Sequence, residues 1–525
     1  MKKYTAMMAV MIILTLFLNG SDLADRAAKL TKEQMQSVIE FLGSDALEGR
    51  APGTRGGELA ENYMQALFKF LGLKTRFQPF ALKGYQTGEL TVESGRTRLT
   101  NIQDVVGNYV RDEKAFSLEG EAVFAGFGIR TPIWSWDDYK KFDCRGKILI
   151  VRVNDPGLYL PQIFEGNVLT YFGRWSYKIE EAAKTGAKGI LLIHTTPTAG
   201  YDWNVVKNSW GGESLYLPSS LGNDLKFRGW IREESLAAIL KEKSIHLENL
   251  YRQSLQRKFR PINLGIRIKI TGSNKFRQIE TRNVIGEMPG QTEQNIVISA
   301  HIDHLGRNER LNGDQIFNGA IDNGSAVAAM AMVAKIYAEA GITPYYGLTF
   351  LACQAEEEGL LGSKYFVANA EREHIVANIN FESTPVWEQS PDVFAVGARY
   401  STLEDLVRKI ASAQGWAYSE FSLSDQGFFY RSDQFPFAHF NIPAVWLSAG
   451  ENAASGRNKL SEFFKGGNYH TVKDEFNPEW EMAGLRQTVK LALLLIEQLN
   501  LERQAPRWKT RLTFPVETSP DKTSR

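Results

Sequence analysis

Four short motifs and one strand end in the C-terminal half of this chain carry side chains that bind metals or move protons. The first is Ser299-Ala300-His301-Ile302-Asp303-His304-Leu305-Gly306, which follows an apolar run. A histidine two residues before an aspartate can take a metal on one ring nitrogen while the carboxylate fixes its orientation. On this motif alone, His304 or a surface hydrogen-bonding role is as good a reading as His301. The second is Asn318-Gly319-Ala320-Ile321-Asp322-Asn323-Gly324-Ser325, leading into an Ala-rich segment, where Asp322 is either a ligand or the cap of the following helix. The third is Glu356-Glu357-Glu358-Gly359-Leu360-Leu361-Gly362-Ser363. Adjacent acids suit a division of labour, one binding metal and its neighbour holding a water proton, and a solvated charge run is the alternative. Asn378-Ile379-Asn380-Phe381-Glu382 is a strand that stops on an acid, and Asn468-Tyr469-His470-Thr471 places a histidine in a loop before the last helix.

The elements that must deliver these side chains are legible from the apolar pattern. From about residue 280 onward, apolar runs at 296–300, 347–353, 377–381 and 444–447 alternate with helical stretches, among them 325–340 and a last helix over 479–500. That alternation predicts an α/β sheet covered by helices on both faces. Ligands of such sheets collect beyond the carboxyl ends of the strands, where the motifs lie. Residues 31–72 read as two amphipathic helices split by a Gly-rich loop, and 80–275 as a separate β-rich module with one clear helix near 177–184.

At 525 residues the chain exceeds the size of one core, so two or more domains are expected. Lys plus Arg (61) nearly cancels Asp plus Glu (60), so no global field favours nucleic acid, and small or peptidic ligands fit better. Lys2 and Lys3 before the apolar run 6–18 read as an export signal over residues 1–21, too short to span a bilayer, and place the mature protein in the periplasm or outside the cell. The two cysteines, Cys144 and Cys353, are expected as free thiols packed in cores. The tail 506–525, with its prolines and charges, is expected on the surface or disordered.

The order of the motifs resembles that of the co-catalytic two-zinc exopeptidases, the family of aminopeptidase Y, bacterial leucyl aminopeptidases and, more distantly, glutamate carboxypeptidase. That resemblance implies a mixed, mostly parallel sheet and two zinc ions. His301, Asp322 and Glu382 would hold one, Asp322, Glu357 and His470 the other, with Asp322 bridging. It selects Glu356 as general base, sets Asp303 behind His301, and makes Tyr469 a donor to the developing oxyanion. Ser432, Asp433 and Gln434, within Arg431-Ser432-Asp433-Gln434-Phe435-Pro436-Phe437, resemble the family's substrate-side loop. Ile321 and Glu382 stand where the family often has Asp, and Gln434 where it often has His. Leu47-Glu48-Gly49-Arg50 resembles the family's N-terminal part, and Gly173-Arg174-Trp175-Ser176-Tyr177-Lys178 with Gly186-Ala187-Lys188-Gly189 resembles an inserted protease-associated domain. The implied division is a catalytic domain of 25–80 and 278–505 with the insert at 81–277. The implied activity is removal of N-terminal residues from peptides with a free N-terminus. A carboxypeptidase or glutaminyl cyclase on the same fold, and a receptor-like binding protein, are the alternatives, and the oligomeric state stays open.

Overall fold

The computed structural model describes residues 22–221, 224–509 and 512–517; the expected export signal lies outside them. The chain divides into two compact units. One is built from the chain up to Phe80, then Glu280–Ser424 and Phe428 onward, and the other from Ala81–Ile279 with Asp425–Gly427.

The first unit is a mixed, mostly parallel sheet flanked by helices. Its strands run in the order Ala417–Tyr418, Asp392–Val396, Ala444–Ala449, Ile375–Asn380, Asn295–His301, Gly347–Cys353 and the last residues of Ile262–Met288. The pairs around Asn295–His301 are parallel, and antiparallel pairs occur where Asp392–Val396 meets Ala444–Ala449 and where Val284 to Met288 meet Gly347–Cys353. These strands are buried along almost their whole length, which is why they read as unbroken apolar runs rather than alternating ones. The register sets His301 opposite Cys353 and Ser299 opposite Asn380. His301, the turn after Cys353 and Glu382 therefore leave the sheet at the same edge.

Helix Ala326–Ala340 packs on Asn295–His301 and on the final helix, and is buried round most of its circumference, as its Ala-rich sequence permits. Lys32–Leu42 starts at a capping box, in which Thr31 and Gln34 satisfy each other's backbone N–H groups. The final helix begins at Ala483 rather than near 479, because Met482 is left-handed (φ 62°) and breaks the turn before it. The tail differs from expectation as well. Phe514 is buried, with its ring 5.2 Å from that of Tyr400 and 5.5 Å from that of Phe429, so the described part of the tail is anchored by an aromatic side chain.

The second unit has more helix than its sequence suggested. Its sheet runs Val105–Tyr109, Phe227–Arg232, Gly189–His194, Ile148–Arg152, Ala115–Phe124 and the first residues of Ile262–Met288, with three parallel pairs at its centre. Alternate residues of each central strand feed two separate cores: Ile148 and Ile150 one, Leu149 and Val151 the other. Helices Trp175–Lys184, Trp203–Trp210, Glu233–Lys241 and Leu247–Ser254 supply the layers. All but the first were missed because eight or nine residues give barely two turns of periodicity. Both cysteines are buried and unpaired.

Candidate metal centre

His301, the last residue of its strand, points its Nδ1 at the carbonyl oxygen of Asp303 at 3.1 Å. A carbonyl can only accept, so Nδ1 carries the proton and Nε2 is left for other work. Nε2 lies 3.3 Å from Asp322 Oδ1, 3.2 Å from Glu382 Oε1 and 3.9 Å from Glu356 Oε2. The other oxygen of Asp322, Oδ2, lies 3.2 Å from His470 Nε2, which is 3.0 Å from Glu357 Oε2. One carboxylate thus divides its two oxygens between two histidine–glutamate pairs.

Asp322 does not cap the helix that follows it. Residues Ala320–Ser325 form an irregular turn in which Asp322 and Asn323 leave helical dihedrals, and the peptide between them is cis. Gly319 starts this turn at φ 60°, and a Cβ there would sit 2.3 Å from the Asp322 carbonyl oxygen and 2.6 Å from the His304 ring, so no other residue fits without displacing both. Asp474 holds the turn from beyond, its two carboxylate oxygens accepting the N–H groups of Ile321 (2.8 Å) and Asp322 (2.9 Å). Asn323 accepts the Ser383 N–H at 2.9 Å, tying this turn to the loop that carries Glu382.

The glutamate triplet separates by position. Glu357 faces His470 and also accepts His304 Nδ1 at 2.7 Å, whereas the Glu356 carboxylate makes no hydrogen bond among the described residues and is 9% exposed. The Asp303 carboxylate has a different task from orienting His301, from whose Nδ1 it is 3.8 Å away. It accepts the N–H groups of Glu356 (3.1 Å) and Glu357 (3.2 Å) and so fixes that turn. His304, left open by the sequence, is buried on the Glu357 side with its Nε2 unpartnered, so two histidines attend that carboxylate.

Ser432, Asp433 and Gln434, expected to face substrate, are turned inward. Ser432 donates to Glu382 Oε2 at 2.5 Å, Asn380 Nδ2 donates to both Ser432 Oγ (2.8 Å) and Gln434 Oε1 (3.1 Å), and Asp433 accepts from Ser363. The three are buried because the short helix Gln434–His439 packs against strand Ile375–Asn380, and Ser432, tied through Asn380 to Gln434, supports Glu382 from behind. Tyr469 is half-buried, with its ring stacked 3.8 Å from that of His470. Asn323 and Asn380 lie inside two of the motifs and Asp474 just after the last, but nothing in the sequence marked them as supports.

Electrostatics separate the roles further. Burial alone would lower the pKa of His301, but Glu382 and Glu356 outweigh it and carry the imidazole well above its ordinary value; Glu357 does the same to His470, to about 10. Burial, reinforced by Glu382 and Glu357, holds Glu356 well above the usual carboxylate range. Asp322 is driven well below it despite burial, by the imidazoles of His301 and His470 beside it.

The donors fit a metal. Asp322 Oδ2, His470 Nε2 and His304 Nε2 are buried without a hydrogen-bond partner, although the first two face each other at 3.2 Å. Ligands about 2.0–2.2 Å from a tetrahedral ion lie roughly 3.3–3.5 Å from one another, close to the spacings between these donors. Two donor clusters converge within 4.8 Å: His301, Asp322 and Glu382, and His304, Asp322 and Glu357.

An α/β sheet whose strand ends bring histidines and acids to one buried point, with a single carboxylate shared between two donor sets, defines the class: an α/β protein with a candidate metal centre. Residues 283–494 match the model of peptidase family M28. Leupeptin-inactivating enzyme 1 of Streptomyces exfoliatus is 30% identical over 172 residues, 32% of this chain and 36% of that protein, so the match spans little more than a third of the relative's length. An aminopeptidase from Aneurinibacillus sp. strain AM-1 shares the fold at TM-score 0.54 and 20% identity, over 94% of this chain and 98% of that one. BSAP, a zinc aminopeptidase from Bacillus subtilis, aligns at TM-score 0.49 and 18% identity, over 89% and 94%. No helix among the described residues is long and apolar enough to cross a membrane.

Proposed function

We propose that this protein is an exported, zinc-dependent aminopeptidase that hydrolyses N-terminal residues from peptides, acting in the periplasm or outside the cell. The observation that carries the reading is the division of Asp322 between His301 with Glu382 and His470 with Glu357, with the unbonded Glu356 carboxylate beside them. His301, Asp322 and Glu382 would hold one zinc ion and Asp322, Glu357 and His470 the second. Bound there, the ions would polarise a water and the scissile carbonyl, bringing the water's pKa from about 15.7 toward about 7.

Glu356 is placed to take the proton from that water and pass it to the leaving amine. Its raised pKa, set first by burial, favours holding the proton between the two transfers. The Tyr469 hydroxyl, kept protonated by burial and by the neighbouring acids, would donate to the carbonyl oxygen as negative charge develops. A site lined by acids favours the ammonium end of a peptide, which is the argument for exopeptidase action. Unit 2 is read as a protease-associated domain on its sequence motifs.

Glu356→Gln should reduce hydrolysis of aminoacyl reporter substrates by about 10²–10⁴-fold while zinc content stays unchanged, and N-acetylated peptides should resist the wild type. Undiminished activity in that variant, or cleavage of blocked peptides alone, would sink the assignment.

A further inference from the structure

The N-terminal motif that ends in Arg50 lies far in sequence from every donor, yet its side chain reaches their loops. Arg50 is 1% exposed. Its Nε donates to the carbonyl oxygen of Ile302 at 2.9 Å, between His301 and Asp303, and its Nη2 to that of Gly319 at 3.0 Å, three residues before Asp322. Nη1 serves the carbonyls of Leu42 and Asn318. Four acceptors on three segments are thus gathered in the plane of one guanidinium. No carboxylate lies within ion-pair distance of it among the described residues.

The backbone is shaped to put it there. Glu48, Gly49 and Arg50 are all left-handed (φ 48°, 72° and 53°), and Gly49 accepts the Gly306 N–H at 2.9 Å. A Cβ on Gly49 would lie 2.3 Å from the Gly306 carbonyl oxygen and 2.7 Å from that of Phe317, so the turn is pressed against the loops after His301 and before Asp322. Asn318 adds a second stitch, donating to Gly43 O and to Asp45 Oδ1, each at 2.8 Å. A cation buried without its own anion is unfavourable unless its donors are satisfied and negative charge lies near. Here the donors meet carbonyls, and the charge comes from Asp474, Asp303, Asp322 and Glu357, which oppose the effect of burial on Arg50.

We propose that Arg50 is a positioning residue of the metal centre: its planar fork fixes the spacing between the His301 loop and the Asp322 turn and sets a permanent cation behind them. It holds the donors in binding geometry before metal arrives, and rests on the reading of those donors as metal ligands. A lysine has the charge but not the fork, so it cannot span Ile302, Asn318 and Gly319 at once.

Zinc titration of chelator-stripped protein tests this. The wild type should bind tightly, whereas Arg50→Lys and Arg50→Met, folded by circular dichroism and assayed well below their melting points, should each lose at least about tenfold in affinity, the range of ligand-orienting partners. The cobalt-substituted absorption spectrum of each variant should also change, which a change in global stability alone would not cause. Wild-type affinity and spectrum in Arg50→Lys would overturn the proposal. Failure of the wild type to bind zinc would instead overturn the metal reading beneath it. If neither variant folds, hydrogen exchange on the wild type decides: zinc loading should protect the amides of 42–50 together with those of 302–323, and protection confined to 302–323 would refute the link.

Discussion

Unit 2 and the candidate metal centre of unit 1 bury charge in opposite ways. In unit 2, Asp138 accepts the N–H groups of Phe127 and Ile129 (both 3.1 Å) and the Trp136 indole N–H (2.8 Å). Asp155 accepts from the Gly157 and Thr170 N–H groups and the Thr170 hydroxyl, and Lys178 donates to the Phe172 carbonyl at 2.5 Å. Both acids and the lysine thus end on a protein partner. In unit 1 most acids and histidines of the centre are buried too, His470 less so, but among the described residues Glu356 makes no hydrogen bond, and Asp322 Oδ2, His304 Nε2 and His470 Nε2 lack a hydrogen-bond partner. Saturated buried charge maintains a fold, whereas converging, unsaturated charge marks a place where something else completes the set. Burial alone would not have told the two apart.

Breaking the unsaturated set should have the largest effect. Asp322→Ala removes the carboxylate common to both donor sets, so metal content by elemental analysis should fall by both equivalents, and hydrolysis by more than the roughly 10²–10⁴-fold expected for loss of a general base. Retention of one full equivalent would show that the oxygen sharing is not functional. Breaking the saturated set should act on stability alone. Asp155→Ala leaves Lys178 with Asp138 as its remaining carboxylate neighbour and strands the Gly157 and Thr170 donors, and should destabilise unit 2 by about 1–3 kcal/mol in urea unfolding, with turnover per folded molecule unchanged. The smallest effect is one of pH. Burial lowers the Lys178 pKa to about 7, so above that the folded chain binds fewer protons than the unfolded chain. The stability this contributes is full above the lysine's ordinary pKa and is lost as pH falls through about 7. Between pH 7.5 and 8.5 the unfolding free energy of unit 2 should therefore rise by about 1 kcal/mol, and Lys178→Met should flatten that rise.

What could be read in advance follows the same division. Strand ends announce themselves, since a wholly buried parallel strand is an apolar run, so the strand ends beside His301, the glutamate triplet and Glu382 were legible, while the choice of ligands among those residues came only from the family resemblance. The supports were not. Arg50, Asp474 and Asp303 act mainly on backbone N–H and C=O groups, which every residue carries, so no spacing in the sequence reveals their partners. Ser432 and Gln434 back Glu382 in a buried amide network, which the sequence does not reveal because a polar run before a short helix looks the same whether it faces a cleft or such a network. Phe514 shows the converse, one aromatic residue overriding the charged, proline-rich character of its neighbours.

The dispersal of the first unit along the chain has a consequence for biosynthesis. Arg50 leaves the ribosome before Glu382, and His470 and Asp474 follow later still. At about 5–20 residues per second, roughly 20–85 s separate the first prop from the last. The turn at 48–50 gains its partners once Gly319 has been made, whereas the Asp322 turn lacks its anchor until Asp474 follows, so the donors of a nascent chain stay unassembled until then. A centre gathered from donors this far apart in the chain forms only after the last of them has been made.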